Sequence, residues 1–176
     1  MSQTTMDADL RSIQQARDLA VGAREAMRSF QFASQQQVDK ICEAMVAAAV
    51  REAERLGQLA HDETGFGYAA HKRLKNEFAA QGVWDSIKDV PTCGVLRRDE
   101  VNKVVEIGWP VGVIVALTPS TNPTSTAIFK ILIGVKARNA VIVAPHPSAK
   151  NCTAEAVRVM AGAAEAAGLP KGMISC

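Results

Sequence analysis

From residue 111 onward the chain alternates between two textures, and this alternation narrows the choice of fold more than any other feature. "VGVIVAL" at 111–117 is a nearly continuous apolar run of strand length. "TSTAIFKILIGVKA" at 124–137 places Ala127, Ile128, Ile131, Leu132 and Val135 at helical spacing. "NAVIVA" reads as a second buried strand. "SAKNCTAEAVRVMAGAAEAAG" reads as a second helix stopped by Gly168 and Pro170, and "GMISC" opens a third strand. A βαβαβ order requires parallel strands joined by right-handed crossovers. The unbroken apolar runs predict strands covered on both faces. The fold class is therefore α/β, with an incomplete Rossmann-like parallel βαβαβ sheet over 111–176. The third strand stops at its fifth residue with no helix to follow it. Residue 176 is accordingly expected not to be the natural end of a domain.

The first half reads differently. Residues 9–90 are rich in Ala, Gln, Glu, Arg and Lys, which favour helix. Leu10, Ile13, Arg17, Ala20 and the 23–27 stretch predict one amphipathic helix, broken over 30–33. Ser34 with Gln37 has the form of a capping box. Val38, Ile41 and Met45 continue at helical spacing, and a further segment through Leu56, Leu59 and Ala60 stops at "ETGFG". A last helix over 69–88 is expected to present Leu74, Phe78 and Trp84 as its apolar residues. From Pro91 the texture turns to β: arms at 95–96 and 104–107 flank the polar "RRDEVNK", as in a hairpin. A two-stranded ribbon is marginal alone, so it is expected to pack on another domain or subunit. The alternative is a plain surface linker. The expected segments are thus 1–90 helical, 91–110 ribbon and 111–176 partial sheet.

Composition removes several function classes. With 20 basic and 18 acidic residues the net charge is +2, and no long basic run offers a nucleic-acid footprint. No 18-residue apolar stretch predicts a membrane span, and residues 1–30 lack the apolar core of a signal peptide. A cytoplasmic protein is expected. Cys42, Cys93, Cys152 and Cys176 form no C-x-x-C pair, and His61, His71 and His146 have no metal-like grouping. Buried or partly buried free thiols and no metal site are expected.

Ligands of open α/β sheets bind where parallel strands end. "TPSTNPTS", 118–125, sits at such an end, before a helix N-terminus with unpaired N–H groups. Pro123 suits the first helical turn. Asn122 can donate through its amide, and the hydroxyls can donate or accept, so the loop could hold a nucleotide or steady an oxyanion. The plainer alternative is that Asn122, Thr124 and Ser125 only cap the helix. "APHPSAK", 144–150, ends the second strand in the same way and should lie beside the first loop. His146 there is either a contact to ribose or phosphate or an exposed loop histidine. No G-x-G-x-x-G fingerprint is present.

The segments "ETGFG", "TCGV", "WPVGVIVALTPSTNPTSTAIFK", "KARNAVIVAPHPSAK" and "AAGLPKGMI" together resemble the aldehyde dehydrogenase superfamily, on its coenzyme-A-acylating branch. That resemblance implies oxidation of a small aldehyde by NAD or NADP through a cysteine thioester, with coenzyme A as the co-substrate that removes the acyl group. It implies Asn122 as the oxyanion donor. Thr118, Pro119, Ser120 and Thr121 would line the nicotinamide side, and Ala144, Pro145, His146 and Pro147 the adenosine end. In the family the nucleophile lies in a separate catalytic domain beyond the third strand, and nothing here corresponds to that domain. The chain thus resembles the N-terminal part only, its ribbon resembles oligomerisation strands, and a homo-oligomer is implied for the full-length enzyme. The isolated chain is expected to be inactive. The alternative is a non-catalytic module that associates with a partner subunit.

Overall fold

The computed structural model describes residues 7–176; the first six residues of the expected 1–90 segment lie outside the described residues. Helices α1 (Ala8–Phe30), α2 (Gln35–Arg51), α3 (Ala53–Thr64) and α4 (Ala69–Glu77) come first. A π-turn, Phe78–Gly82, then leads into α5 (Val83–Ile87). The predicted 69–88 helix is thus one path with a widened turn inside it. The Ser34 capping box forms: the Ser34 hydroxyl accepts from Gln37 N–H, and Gln37 Oε1 accepts from Ser34 N–H at 2.9 Å. Gly65 closes α3 at φ 68°, a left-handed conformation that costs glycine little. At Gly57 a Cβ would lie 2.8 Å from the Arg73 backbone nitrogen, so the absence of a side chain lets α4 back directly onto α3.

The hairpin consists of β1 (Gly94–Asp99) and β2 (Val104–Gly108), antiparallel, with a register shift between Val95 and Arg97. This excludes the plain linker. Val95, Val104, Val105 and Ile107 are all exposed, so nothing among the described residues covers the ribbon. The sheet follows as β3 (Val113–Leu117), β4 (Ala140–Ala144) and β5 (Ile174–Ser175), parallel and in the order β3-β4-β5. Its crossovers are α6 (Pro123–Lys136) and α7 (Lys150–Ala166), the latter preceded by a 3-10 turn, Pro147–Ala149. Both crossover helices pack against α2, while α1 packs against all three strands. Ile128, Ile131, Leu132 and Val135 of α6 meet Val38, Ile41 and Met45 of α2 and Met160 of α7 in one dry core. No helix among the described residues is long and apolar enough to cross a membrane.

The expectation of strands covered on both faces needs correcting at β3. Paired residues of parallel strands point the same way, so Val113, Val115 and Leu117 share a face with Ala140, Ile142 and Ala144. On that face Val115 is 62% and Leu117 68% exposed, so the described residues leave the outer end of this strand open. The first turns of α1 also depart from the expected buried stripe: Leu10 and Ile13 are exposed, and burial begins at Ala23.

Several element ends are held by charged side chains. Lys136, at the last residue of α6, is buried; its ammonium donates to Asp39 Oδ1 at 2.6 Å and to the Lys88 carbonyl at 3.1 Å, and lies 5.2 Å from the Trp84 ring centroid. Arg138 adopts φ 61°, rare for a side chain with a Cβ, and donates to the Gly108 carbonyl at 2.5 Å and the Gln31 carbonyl at 2.6 Å. It thereby ties the exit of the hairpin to the turn after α1.

The N-terminus of α7 is closed by Glu63 of α3. Its two carboxylate oxygens accept from Asn151 N–H at 2.9 Å and Cys152 N–H at 2.6 Å, two of the groups that a helix start leaves unpaired. Partial burial would raise the Glu63 carboxyl, but these donors outweigh it and hold its pKa below the usual range. A carboxyl lowered in the folded state stabilises above its unfolded pKa of about 4.3, and that contribution is lost as pH falls through the lower folded value. Glu63→Gln is therefore expected to cost about 1 kcal/mol near neutral pH, the usual scale of a lost helix cap. The gap from wild type should close in acid. Urea titrations of both proteins from pH 7 down to pH 3 would check this; a gap that does not change with pH would contradict it.

Candidate functional site

The two loops singled out in the sequence meet at the carboxyl rim of the sheet. Thr118 N–H donates to the Ala144 carbonyl at 3.1 Å, extending the β3–β4 ladder by one bond. Thr118 is only 5% exposed, and its hydroxyl has no partner among the described residues. The Ser175 hydroxyl, on β5, is likewise buried and unpartnered. Pro119 and Thr121 are exposed and Ser120 is half-buried. In the second loop Ala144 and Pro145 are half-buried, and His146 and Pro147 are exposed. His146 Nδ1 accepts from Ser148 N–H at 3.2 Å and lies 2.8 Å from the Ser148 hydroxyl, so the ring caps the 3-10 turn. That bond fixes the ring through Nδ1, and the residue stays open to solvent.

Pro123 occupies the first turn of α6, as its missing N–H allows. Asn122 stands at the N-cap position with φ −138° and ψ 56°, yet its side chain makes no capping bond. The simple capping alternative fails for this residue. Its Oδ1 instead accepts from Lys75 Nζ at 2.8 Å, and its Nδ2 reaches only Thr121 Oγ1 at a long 3.4 Å. Thr124 does not cap either: its hydroxyl donates to Asn76 Oδ1 at 2.8 Å. Asn76 is fully buried and passes the connection on through Nδ2 to the Ala53 carbonyl at 3.0 Å. Ser125 Oγ has only a marginal 3.5 Å contact to the Asn122 carbonyl.

Lys72, Lys75 and Asn76 were not singled out from the sequence, and they organise the site. Their i, i+3, i+4 spacing puts all three on one face of α4. Lys72, 4% exposed, donates to the Thr121 carbonyl at 3.0 Å. Burial first, and then the neighbouring Lys75 charge, lower its pKa. Lys130, two turns into α6, donates to the Leu117 carbonyl at 2.7 Å and fixes the end of β3. The usable sequence signal for the lysines was the spacing itself.

The apolar residues that the 69–88 helix carries divide between core and surface. Leu74 is 54% and Phe78 71% exposed, while Trp84 is buried. With Val83, Leu74 and Phe78 form one wall of an open groove of about 520 Å³, facing Ser125, Thr126 and Phe129 of α6. Asn122 and Lys75 also border it. The groove thus pairs an apolar wall with an amide donor that has a hydrogen to spare. This combination suits a short hydrocarbon attached to a polarised carbonyl. None of the four cysteines borders it. Burial pushes the Cys42 thiol up to about 12, and burial with the adjacent Glu63 does the same for Cys152. Among the described residues no cluster of His, Cys, Asp or Glu could hold a metal ion.

Comparison with known proteins places this rim in context. Residues 2–176 match the model of the aldehyde dehydrogenase family. The crystal structure of an acetylating aldehyde dehydrogenase from Geobacillus thermoglucosidasius superposes with a TM-score of 0.95 at 55% identity, covering 98% of this chain and 38% of that one. A probable aldehyde dehydrogenase from Listeria monocytogenes EGD-e gives a TM-score of 0.95 at 47% identity over 97% of this chain and 38% of that one. Among curated sequences, the bifunctional aldehyde-alcohol dehydrogenase of Escherichia coli K12 is 44% identical over 151 residues, 86% of this chain. The chain spans 17% of that protein's length.

The Thr124–Asn76–Ala53 relay carries a clear stability expectation. Thr124→Val would leave Asn76 Oδ1 buried without a donor, at a cost of about 1–3 kcal/mol. Thr124→Ser keeps the hydroxyl and should recover most of it. Guanidinium titration is the check, with a lower midpoint and an unchanged slope expected for the valine variant.

Proposed function

The chain belongs to the aldehyde dehydrogenase family, and from that premise we propose that it contributes the cofactor-side half of a coenzyme-A-acylating active site. The overall reaction is aldehyde, NAD(P)⁺ and coenzyme A giving acyl-coenzyme A, NAD(P)H and a proton. A cysteine thiolate adds to the aldehyde carbonyl, a hydride leaves the resulting carbon, and the coenzyme A thiol takes the acyl group and frees the cysteine. The observation that carries this reading is the Asn122 amide on the wall of an apolar groove, beside the carboxyl rim of a parallel sheet. As the thiolate adds, charge grows on the carbonyl oxygen, and Asn122 Nδ2 donates to it there. Leu74, Phe78 and Phe129 hold the hydrocarbon part of the aldehyde.

The bound dinucleotide supplies the hydride acceptor. The rim fits such a group at Thr118, whose Oγ1 is a buried polar atom without a partner among the described residues where β3 ends. The 118–121 loop takes the nicotinamide side and the 144–147 loop the adenosine side. The nucleophilic cysteine is assigned outside these 176 residues. Cys42 and Cys152 are buried with raised thiol pKa values, and neither Cys93 nor Cys176 borders the groove. We further assign the hairpin of segment 91–110 to subunit contacts in a homo-oligomer, segments 1–90 and 111–176 to cofactor binding, and the enzyme to the cytoplasm. A second reading, a non-catalytic module completed by a partner subunit, draws on the exposed Val115 and Leu117.

The test is turnover by the polypeptide as its source cell makes it, with acetaldehyde and either nucleotide, with and without coenzyme A. NAD(P)H formation that requires coenzyme A and yields a thioester is expected. Asn122→Ala should lower kcat by about 100-fold, the scale of one lost oxyanion donor. Release of free acid without coenzyme A would contradict the acylating assignment. Turnover by the 176-residue chain alone would contradict the placement of the cysteine, and its absence from any active assembly would favour the second reading.

A further inference from the structure

Asn122 carries its donor and its acceptor on one planar group, and a half-turn about the last side-chain bond exchanges them. Its usefulness as an oxyanion donor depends on which of the two faces the substrate. An ammonium has three donors and no acceptor, so it can bond Oδ1 and cannot bond Nδ2. Lys75 Nζ lies 2.8 Å from Asn122 Oδ1. In the flipped amide that bond would be lost and N–H dipoles would face a positive charge. The correctly turned amide is left with one long contact from Nδ2 to Thr121 Oγ1, at 3.4 Å, so a donor remains unclaimed.

The backbone around Asn122 is held from the same helix. Lys72 fixes the Thr121 carbonyl before it at 3.0 Å, and Asn76 fixes the Thr124 hydroxyl after it at 2.8 Å. These two bonds locate the residue but do not choose the orientation of its amide. Among the described residues, only the Lys75 contact distinguishes the two orientations. A cation on Oδ1 also polarises the amide and makes Nδ2–H a stronger donor.

We infer that Lys75 is a positioning residue that sets the Asn122 amide with its donor directed to the reacting oxygen. The inference rests on the role assigned to Asn122 above. Two measurements test it, and they fail separately. In the active enzyme, Lys75→Met should lower kcat about tenfold with little change in KM, a fraction of what outright donor loss costs. Lys75→Arg, again donor-only, should restore most of the rate. In an Asn122→Ala background, Lys75→Met should cost nothing further, because the two residues act as one unit. In the 176-residue chain, nuclear Overhauser contacts of the Asn122 amide protons report the orientation directly. In wild type they should fall on Thr121, and in Lys75→Glu, whose carboxylate accepts from Nδ2, they should move to residue 75.

Amide contacts that stay on Thr121 in both the methionine and glutamate variants would overturn the inference, as would additive kinetic losses. Full activity of Asn122→Ala would instead remove the oxyanion role, leaving the orientation to be decided by the amide contacts.

Discussion

Three polar residues on one face of α4 hold the segment on which the site is built. Lys72, Lys75 and Asn76 reach Thr121, Asn122 and Thr124 in turn, so each grips a different part of the turn that starts α6. A buried amide or ammonium without a partner costs several times what the completed bond contributes. The seam is therefore worth most as a constraint: any displacement of α4 exposes Asn76 or Lys72 to an unmet desolvation cost. Gly57 sets the depth of that helix against α3, and the relay from Asn76 to the Ala53 carbonyl ties it to the same place.

The electrostatics of the seam run against ordinary helix design. Cations are favoured at helix C-termini, where Lys136 closes α6. Lys72 and Lys75 stand beside the opposite, positive end of the same helix. Glu63 at the start of α7 shows the conventional choice, an anion on free N–H groups. Two ammonium groups next to the α6 N-terminus leave an excess of positive potential at rest. Negative charge developing nearby relieves it, as carbonyl addition would in the reaction we propose. The burial-lowered pKa of Lys72 belongs to the same picture.

Much of this fold could be read from residue order. The βαβαβ alternation, the Ser34–Gln37 box, Pro123 at the start of α6 and the adjacency of the 118–122 and 144–147 loops all follow from local rules. Those rules have short range and strong preferences. The misreadings share one cause. Leu10, Ile13, Val115 and Leu117 are apolar, and their spacing or their unbroken run was read as a face that packs against something. Periodicity identifies a face, and tertiary packing decides what lies against it. On α4 the buried side chains are Lys72 and Asn76, followed by Ala79 and Ala80 of the π-turn, all polar or small, and the polar pair meets carbonyls and a hydroxyl where a core would offer methyl groups. The orientation of the Asn122 amide lay further out of reach, since it depends on a lysine 47 positions earlier.

The π-turn at Phe78–Gly82 has a consequence for how this chain tolerates change in length. A π-turn holds one residue more than the α-helix it interrupts, and each residue of an α-helix advances about 100° around its axis. Upstream of it lie the three residues of the seam; downstream, Trp84 is anchored over the Lys136 ammonium. The extra residue is taken up inside the widened turn, so loss of a single residue here would let the helix close into regular α geometry with both sets still facing their partners. A residue removed from regular α4 or α5 would instead rotate one set by about 100° against the other, so this turn is the point in the helix where a change of one residue in length is most readily absorbed.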